Sequence, residues 1–163
     1  MAGRKDQSET PTFGRGGQVP ADPVVKDLDP DECWTLLRKH RLGRLALVVD
    51  GRPEIFPVNY AAGEGAIVIR TQPGTKLTHG PGRVVAFEVD GYDRSTGVGW
   101  SVVVVGPVSD ITEVPDERSQ ALRRLPIETA VPGVRVHWLA IAADRLTGRS
   151  FRGGWMVPGG YLG

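Results

Sequence analysis

The stretch LGRLALVVDGRPEIFPVNYA, Leu42–Ala61, decides the fold. RLALVVD reads as a strand, DGRP as a tight turn, and EIFPVNYA as the return strand of a hairpin. Working outward toward the C-terminus, GEG turns the chain into a third strand, AIVIRT, and QPGTKLTHGPG leaves room for at most a short helix before the next strand, RVVAFEVD. A longer β segment, GWSVVVVGPVSDIT, follows the loop GYDRSTGV. Pro115 then opens a charged helix, PDERSQALRRL, and VHWLAIAADRLTGRSF supplies a closing strand. Toward the N-terminus the hairpin is preceded by a helix. Asp29 as N-cap, Pro30 at the first helical position and Glu32 three residues after the cap make a capping box, and Gly43 stops the helix. Cys33, Trp34, Leu36 and Leu37 give that helix an apolar face, so Cys33 reads as a core residue.

About six strands with interspersed rather than alternating helices define an α+β, mainly β chain, an antiparallel barrel or sandwich. The missing βαβ rhythm argues against a doubly wound nucleotide fold. The boundaries divide the chain into a tail over 1–26, one domain over 27–152 and a C-terminal tail over 153–163. The N-terminal stretch is polar, rich in Gly and Pro and without apolar periodicity, and reads as a mobile tail or a strap across another subunit.

The charge balance narrows the partners. With 20 basic and 19 acidic residues in 163, the formal net charge is +1, which creates no long-range field for nucleic acid or an anionic membrane. Any anion site is therefore local. A lone cysteine, the absence of a secretory apolar region near Met1 and the absence of a long apolar run lead to the expectation of a cytoplasmic protein.

The local candidate is AIVIRTQPGTKLTHG, Ala66–Gly80. Arg70 and Thr71 end a strand, and Thr75, placed to cap the next short helix, is followed by Lys76. A planar guanidinium fork, a point-charge ammonium, neutral hydroxyl donors and free backbone N–H groups suit the three acceptor oxygens of a phosphate monoester. An ordinary solvated loop with a helix cap accounts for the same residues. His40, His79 and His137 lie far apart and fit no metal template, so no metal site is expected. His40, near a helix end, is expected to favour the imidazolium form. No Gly-x-Ser-x-Gly elbow supports a hydrolase, and no catalytic acid, base or nucleophile is assigned. Glu88 interrupts an apolar strand and is either a surface residue or a functional one.

Four segments in order carry a resemblance: LGRLALVVDGRPEIFPVNYA, IVIRTQPGTKL, RVVAFEVDGYD and GWSVVVVGPVSDI. Together they resemble the pyridoxamine 5'-phosphate oxidase-like proteins, the flavin-binding split β-barrels. The resemblance implies a six-stranded antiparallel split barrel with a few short flanking helices, working as a homodimer with its cofactor at the subunit interface. By position it places Pro57, Val58 and Asn59 along the flavin ring and Ile69, Arg70 and Thr71 along the ribityl chain. Thr75, Lys76 and Leu77 stand at the phosphate, Glu88 near the ring edge, and Trp100 and Ser101 on a strand that closes over the site. The implied function is an FMN-dependent oxidoreductase that transfers a hydride to or from a small-molecule substrate. The alternatives are a deazaflavin-dependent reductase, or a non-catalytic flavin-binding or redox-sensing protein. The C-terminal RGGWMVPGGYLG does not match the arginine-rich segment of pyridoxamine 5'-phosphate oxidase itself, which argues against vitamin-B6 oxidation.

Overall fold

The computed structural model describes residues 24–128 and 137–152. The elements in order are β1 (Val24–Leu28), α1 (Pro30–Lys39), β2 (Leu42–Val49), β3 (Arg52–Gly63), β4 (Ala66–Thr71), α2 (Thr75–His79), β5 (Val84–Asp93), β6 (Val98–Asp110), α3 (Glu117–Arg123), β7 (His137–Ala142) and β8 (Arg145–Arg152). The hairpin read from the sequence forms as expected, with β2 and β3 antiparallel from Leu42↔Asn59 to Val49↔Arg52. Its turn holds Asp50 and Gly51 at φ 49° and 79°, the paired positive values that match strand twist in a two-residue loop.

Strands β6, β5, β2, β3, β4 and β7 run side by side, and β7 returns to β6, closing a six-stranded antiparallel barrel. The closure depends on β6. One edge of β6 pairs with β5 from Val98 to Pro107. Its other edge pairs first with β8, over Val98–Val105, and then with β7, over Val108–Asp110. The single closing strand expected from VHWLAIAADRLTGRSF is therefore two strands. A straight strand could not serve both β4 and the whole of β6, so the chain turns at Ala143–Asp144 and gives each stretch of β6 its own partner. The handover falls at Gly106, where a Cβ would lie 1.8 Å from the Ala142 carbonyl oxygen. β1 pairs with β8 beyond the barrel, from Val24↔Arg152 to Leu28↔Gly148. Ladder pairing is thus already present at Val24, earlier than the sequence pattern indicated, because backbone hydrogen bonds and not apolar burial hold these largely exposed residues.

The barrel interior is filled by alternate residues of every strand, among them Leu45, Tyr60, Ile69, Phe87, Val104 and Ile141. Tyr60 and Phe87 meet edge to face at 4.8 Å. The Tyr60 hydroxyl donates to the Leu37 carbonyl at 2.7 Å and ties α1 to the barrel. Burial pushes this phenol far above its ordinary value, so it remains a donor. The capping box of α1 is present: Glu32 N donates to Asp29 Oδ1 at 2.8 Å, and Asp29 N donates to Glu32 Oε2 at 2.9 Å. Leu37 is fully buried, which contributes about 1.5–3 kcal/mol. Cys33 is also buried, and burial pushes its thiol up, as suits a core residue.

A second, smaller core lies outside the barrel, where α3 covers the outer side of β4 and β7 through Ala66, Val68, Ile111, Leu122 and Ala140. Asp116, not Pro115, caps α3 by accepting from Ser119 N at 2.9 Å. Arg123 NH1 donates to the carbonyls of Ile111 and Val114 and anchors the helix. No helix among the described residues is long and apolar enough to cross a membrane.

Gly106→Ala should destabilise the protein by about 1–3 kcal/mol or more, since the new methyl meets backbone that cannot move without parting β7 from β6. Urea denaturation measures the loss. An unchanged midpoint would show that the handover tolerates a side chain.

Candidate functional site

Strand alternation sorts the residues singled out from the sequence. In β3 and β4, Tyr60↔Ile69 is an inward pair, and one step further along the same register Asn59 stands beside Arg70 on the outer face. Asn59 is also paired with Leu42 across β2–β3, and Arg70 with Trp138 across β4–β7. Continuing the β2–β5 register by two residues beyond Arg44↔Glu88 sets Leu42 beside Asp90, which pairs with Ser101. An outward row therefore crosses the sheet as Trp138, Arg70, Asn59, Leu42, Asp90 and Ser101. At this outward level residues from four of the anticipated segments line up.

Beside this row is a groove of about 460 Å³ lined by His40, Arg41, Leu42, Arg44, Pro57 and Asp90. It opens where α1 ends and β2 begins. Arg44 holds its floor, with NH1 donating to Glu88 Oε2 at 3.0 Å and to Asp90 Oδ1 at 2.5 Å. Two carboxylates on one guanidinium keep it charged, Asp90 having the larger effect and Glu88 the smaller. On the other wall the His40 ring stands 4.7 Å from the Trp100 ring at a tilt of 49°. Burial holds this imidazole below its ordinary value, and the neighbouring charges of Lys39 and Arg41 add to the effect. The imidazolium expected at this helix end is thus disfavoured: burial and two adjacent cations outweigh the helix dipole. Arg41 NH1 takes over the C-terminal carbonyls, donating to Arg38 O at 2.6 Å and His40 O at 3.0 Å.

The anticipated phosphate loop lies at the barrel end reached by β4. Arg70 is half-buried with its guanidinium 4.9 Å from the Trp138 ring centroid, a cation–π contact. Lys76 Nζ lies 5.2 Å from the Phe56 ring centroid. The helix cap is Gly74 at φ 151°, with no side-chain cap bond, so Thr75 is the first helical residue and not the cap. Thr71 is buried, and its hydroxyl donates to the Gln72 carbonyl at 3.0 Å.

The remaining residues fall into two groups. Val58 and Ile69 are buried in the barrel interior, which leaves their backbones rather than their side chains for an outer ligand. Leu77 packs against the main core. Pro57 lines the groove, Glu88 reaches it through Arg44, and Trp100 reaches it through His40. Ser101 shares the outward row but stands about four strand spacings from Arg70, roughly 19 Å along the curved sheet, so one chain does not bring the two together. Arg41, Arg44 and Asp90 were not singled out from the sequence, and His40 was read only as a residue near a helix end. The available signal was period-two alternation, with Arg44 on β2 and Glu88 and Asp90 on β5 sharing a face, but it requires the register.

An antiparallel split barrel with an outward polar row and a groove at the end of its first helix defines a class of small barrel proteins. The family model for pyridoxamine 5'-phosphate oxidase matches residues 29–150, and the chain belongs to that family. Among solved structures it is similar to the FAD binding protein from Mycobacterium smegmatis, with 34% identity over 79% of this chain and 98% of that one and a TM-score of 0.66. A Corynebacterium glutamicum structure is 30% identical over 85% of this chain and 98% of its own, with a TM-score of 0.67. An uncharacterized protein of Mycobacterium tuberculosis is 34% identical over 95 residues, a match spanning 55% of this chain and 62% of that protein's length.

In an NMR titration, His40 should show a midpoint below the ordinary histidine value of about 6.5, and Trp100→Ala should raise it by exposing the ring. Because the folded pKa is the lower one, the stabilising contribution of the neutral ring is present above the unfolded pKa and is lost as pH falls through the folded midpoint. A midpoint unmoved by Trp100→Ala would show that the indole does not desolvate His40.

Proposed function

We propose that the protein is a flavin-binding oxidoreductase that uses FMN, works as a homodimer and transfers a hydride to or from a small-molecule substrate. One observation carries the reading: the outward row from Arg70 through Asn59 to Leu42 ends at the lip of the groove that Pro57 and Arg44 line. The donor set fits the cofactor. Arg70 and Lys76 supply the charge for a phosphate at one end, Leu42 and Pro57 offer an apolar surface for a flat ring, and Asn59 stands between them. Support also comes from the 34% identical relative, whose name describes FAD binding.

FMN, when bound, supplies the hydride-transfer chemistry. The chain's own part is to bind, orient and shield. Arg70 would present a planar fork to phosphate oxygens, and its guanidinium lies 4.9 Å from the Trp138 ring centroid. The Arg44–Glu88–Asp90 cluster fixes the groove floor, and neutral His40 forms a wall able to donate or accept one hydrogen bond. Since both carboxylates are engaged by Arg44, a non-catalytic flavin-binding role is the second reading. Turnover with a nicotinamide reductant would exclude it.

The dimer is supported by the outer face of β2, β3, β5 and β6, which no helix among the described residues covers. Val48, Ile55 and Val84 are 58%, 67% and 70% exposed there, around the in-register residues Ala46, Ala86 and Val105. So contiguous an apolar surface suits a self-complementary interface.

Protein purified from its host should be yellow, and Arg70→Ala with Lys76→Ala should weaken FMN binding by two orders of magnitude or more, at about 1.5–3 kcal/mol for each charge-assisted contact. Fluorescence titration reads the affinity and circular dichroism the fold; equal affinity in the folded double variant would remove the phosphate from this end of the barrel. Separately, Ile55→Asp with Val84→Asp should convert the dimer to a monomer in light scattering. A wild-type monomer would refute the interface.

A further inference from the structure

We propose that the outer face of β8 is a second ligand site, one that takes a nucleoside diphosphate group. Alternation turns Arg145, Thr147, Arg149 and Phe151 outward, while Gly148 faces the body so closely that a Cβ would lie 2.5 Å from Cys33 Sγ. Ser101 on β6 is in register with Arg149, and Val103 with Thr147. These residues line a cavity of about 340 Å³ that contains two arginines, two hydroxyls and no carboxylate. Just beyond Arg149, the Phe151 ring lies across Gly99, where a Cβ would meet it at 2.1 Å. Tyr92 is in register with Gly99 from the opposite side, so two aromatic residues, 48% and 36% exposed, flank one glycine.

The order of groups along the strand sets the ligand class. Guanidinium forks and hydroxyls bind phosphate oxygens, and an exposed ring next to them offers a stacking surface for a planar heterocycle. Arg145 and Arg149 are about 13 Å apart along the strand, and Phe151 lies about 7 Å further on. A single phosphate would leave the aromatic pair unused, and a nucleic acid would call for a longer basic stripe than this chain possesses.

The local charges leave the cavity positive. Arg149 Nε meets Asp27 Oδ1 at 3.3 Å, an exposed pair of little energetic weight. Among the described residues no ion pair engages Arg145, and the nearby Glu88 and Asp90 are turned to Arg44. The site lies across β6 from the groove assigned to FMN, and neither arginine belongs to that groove.

Calorimetric titration of the full chain with ADP, adenosine and inorganic phosphate tests the proposal. ADP should bind at least about tenfold more tightly than either fragment. Arg145→Met and Arg149→Met should each weaken ADP about tenfold or more, loss of a charge-assisted contact at each, while FMN affinity stays unchanged. Phe151→Ala, which leaves both charges in place, should abolish the preference for ADP over inorganic phosphate and serves if the arginine variants fold poorly. No ADP binding by the wild type, equal binding by the double arginine variant, or adenosine binding as tightly as ADP would each overturn the site. FMN and ADP should bind simultaneously, with no advantage for FAD over FMN, because Arg149 stands about five strand spacings, roughly 24 Å, from the Arg70 end assigned to the flavin phosphate; competition between ADP and FMN would overturn a separate site. Failure of FMN to bind, with ADP binding intact, would refute the flavin reading and leave this one standing.

Discussion

The structure depends on one strand having more edge than a single neighbour can use. β6 is thirteen residues long, and its second edge is divided between β8 and β7 at Gly106. Every backbone donor on that edge needs an acceptor, and the fork provides one along almost the whole length. Where β7 takes over, the sheet closes into a barrel; where β8 pairs, the sheet runs on outward as an arm carrying β1. A bulkier residue at the fork would force a choice between the two partners.

From the fork follows the division of the outer surface. The β4–β7 side is sealed by α3, whose Asp116 cap and Arg123 anchor hold it over Ala66, Val68 and Ala140. Among the described residues the β2–β3–β5–β6 side has no such cover and keeps an apolar block next to a polar row. Arg70 stands on the border, with its guanidinium over Trp138 on the sealed side and Asn59 beside it on the open one. The candidate site is therefore a boundary feature, made where covered and uncovered sheet meet.

Much of this was legible in the chain where the determinants are local. The capping box of α1, the Asp50–Gly51 hairpin and the long β6 all follow from neighbouring residues, and family resemblance supplied the barrel topology. What could not be read depends on pairing between distant segments. β1 has exposed side chains and no amphipathic signature, and is held by residues more than a hundred positions away. The break between β7 and β8 falls at Ala143–Asp144, which contains neither Gly nor Pro. His40 was assigned by its helix end, yet burial holds its imidazole below the ordinary value, and its ring meets a tryptophan sixty positions later. Arg44, Glu88 and Asp90 become a cluster only once the β2–β5 register is known.

The pairing of β1 with β8 also governs the order in which this chain can be completed on a ribosome. Hairpin β2–β3 and strand β4 can pair soon after they emerge, since their partners are adjacent in sequence. Val24–Leu28 must wait for the last described strand, and closure of the barrel waits for β7. At typical synthesis rates that interval is roughly ten seconds. During it the nascent chain displays an unpaired strand edge and the inward faces of half a barrel, surfaces prone to association. Pairing of β1 with β8 and closure of the barrel remove most of this liability only at the end of synthesis, so translation speed and chaperone access bear on the yield of folded protein.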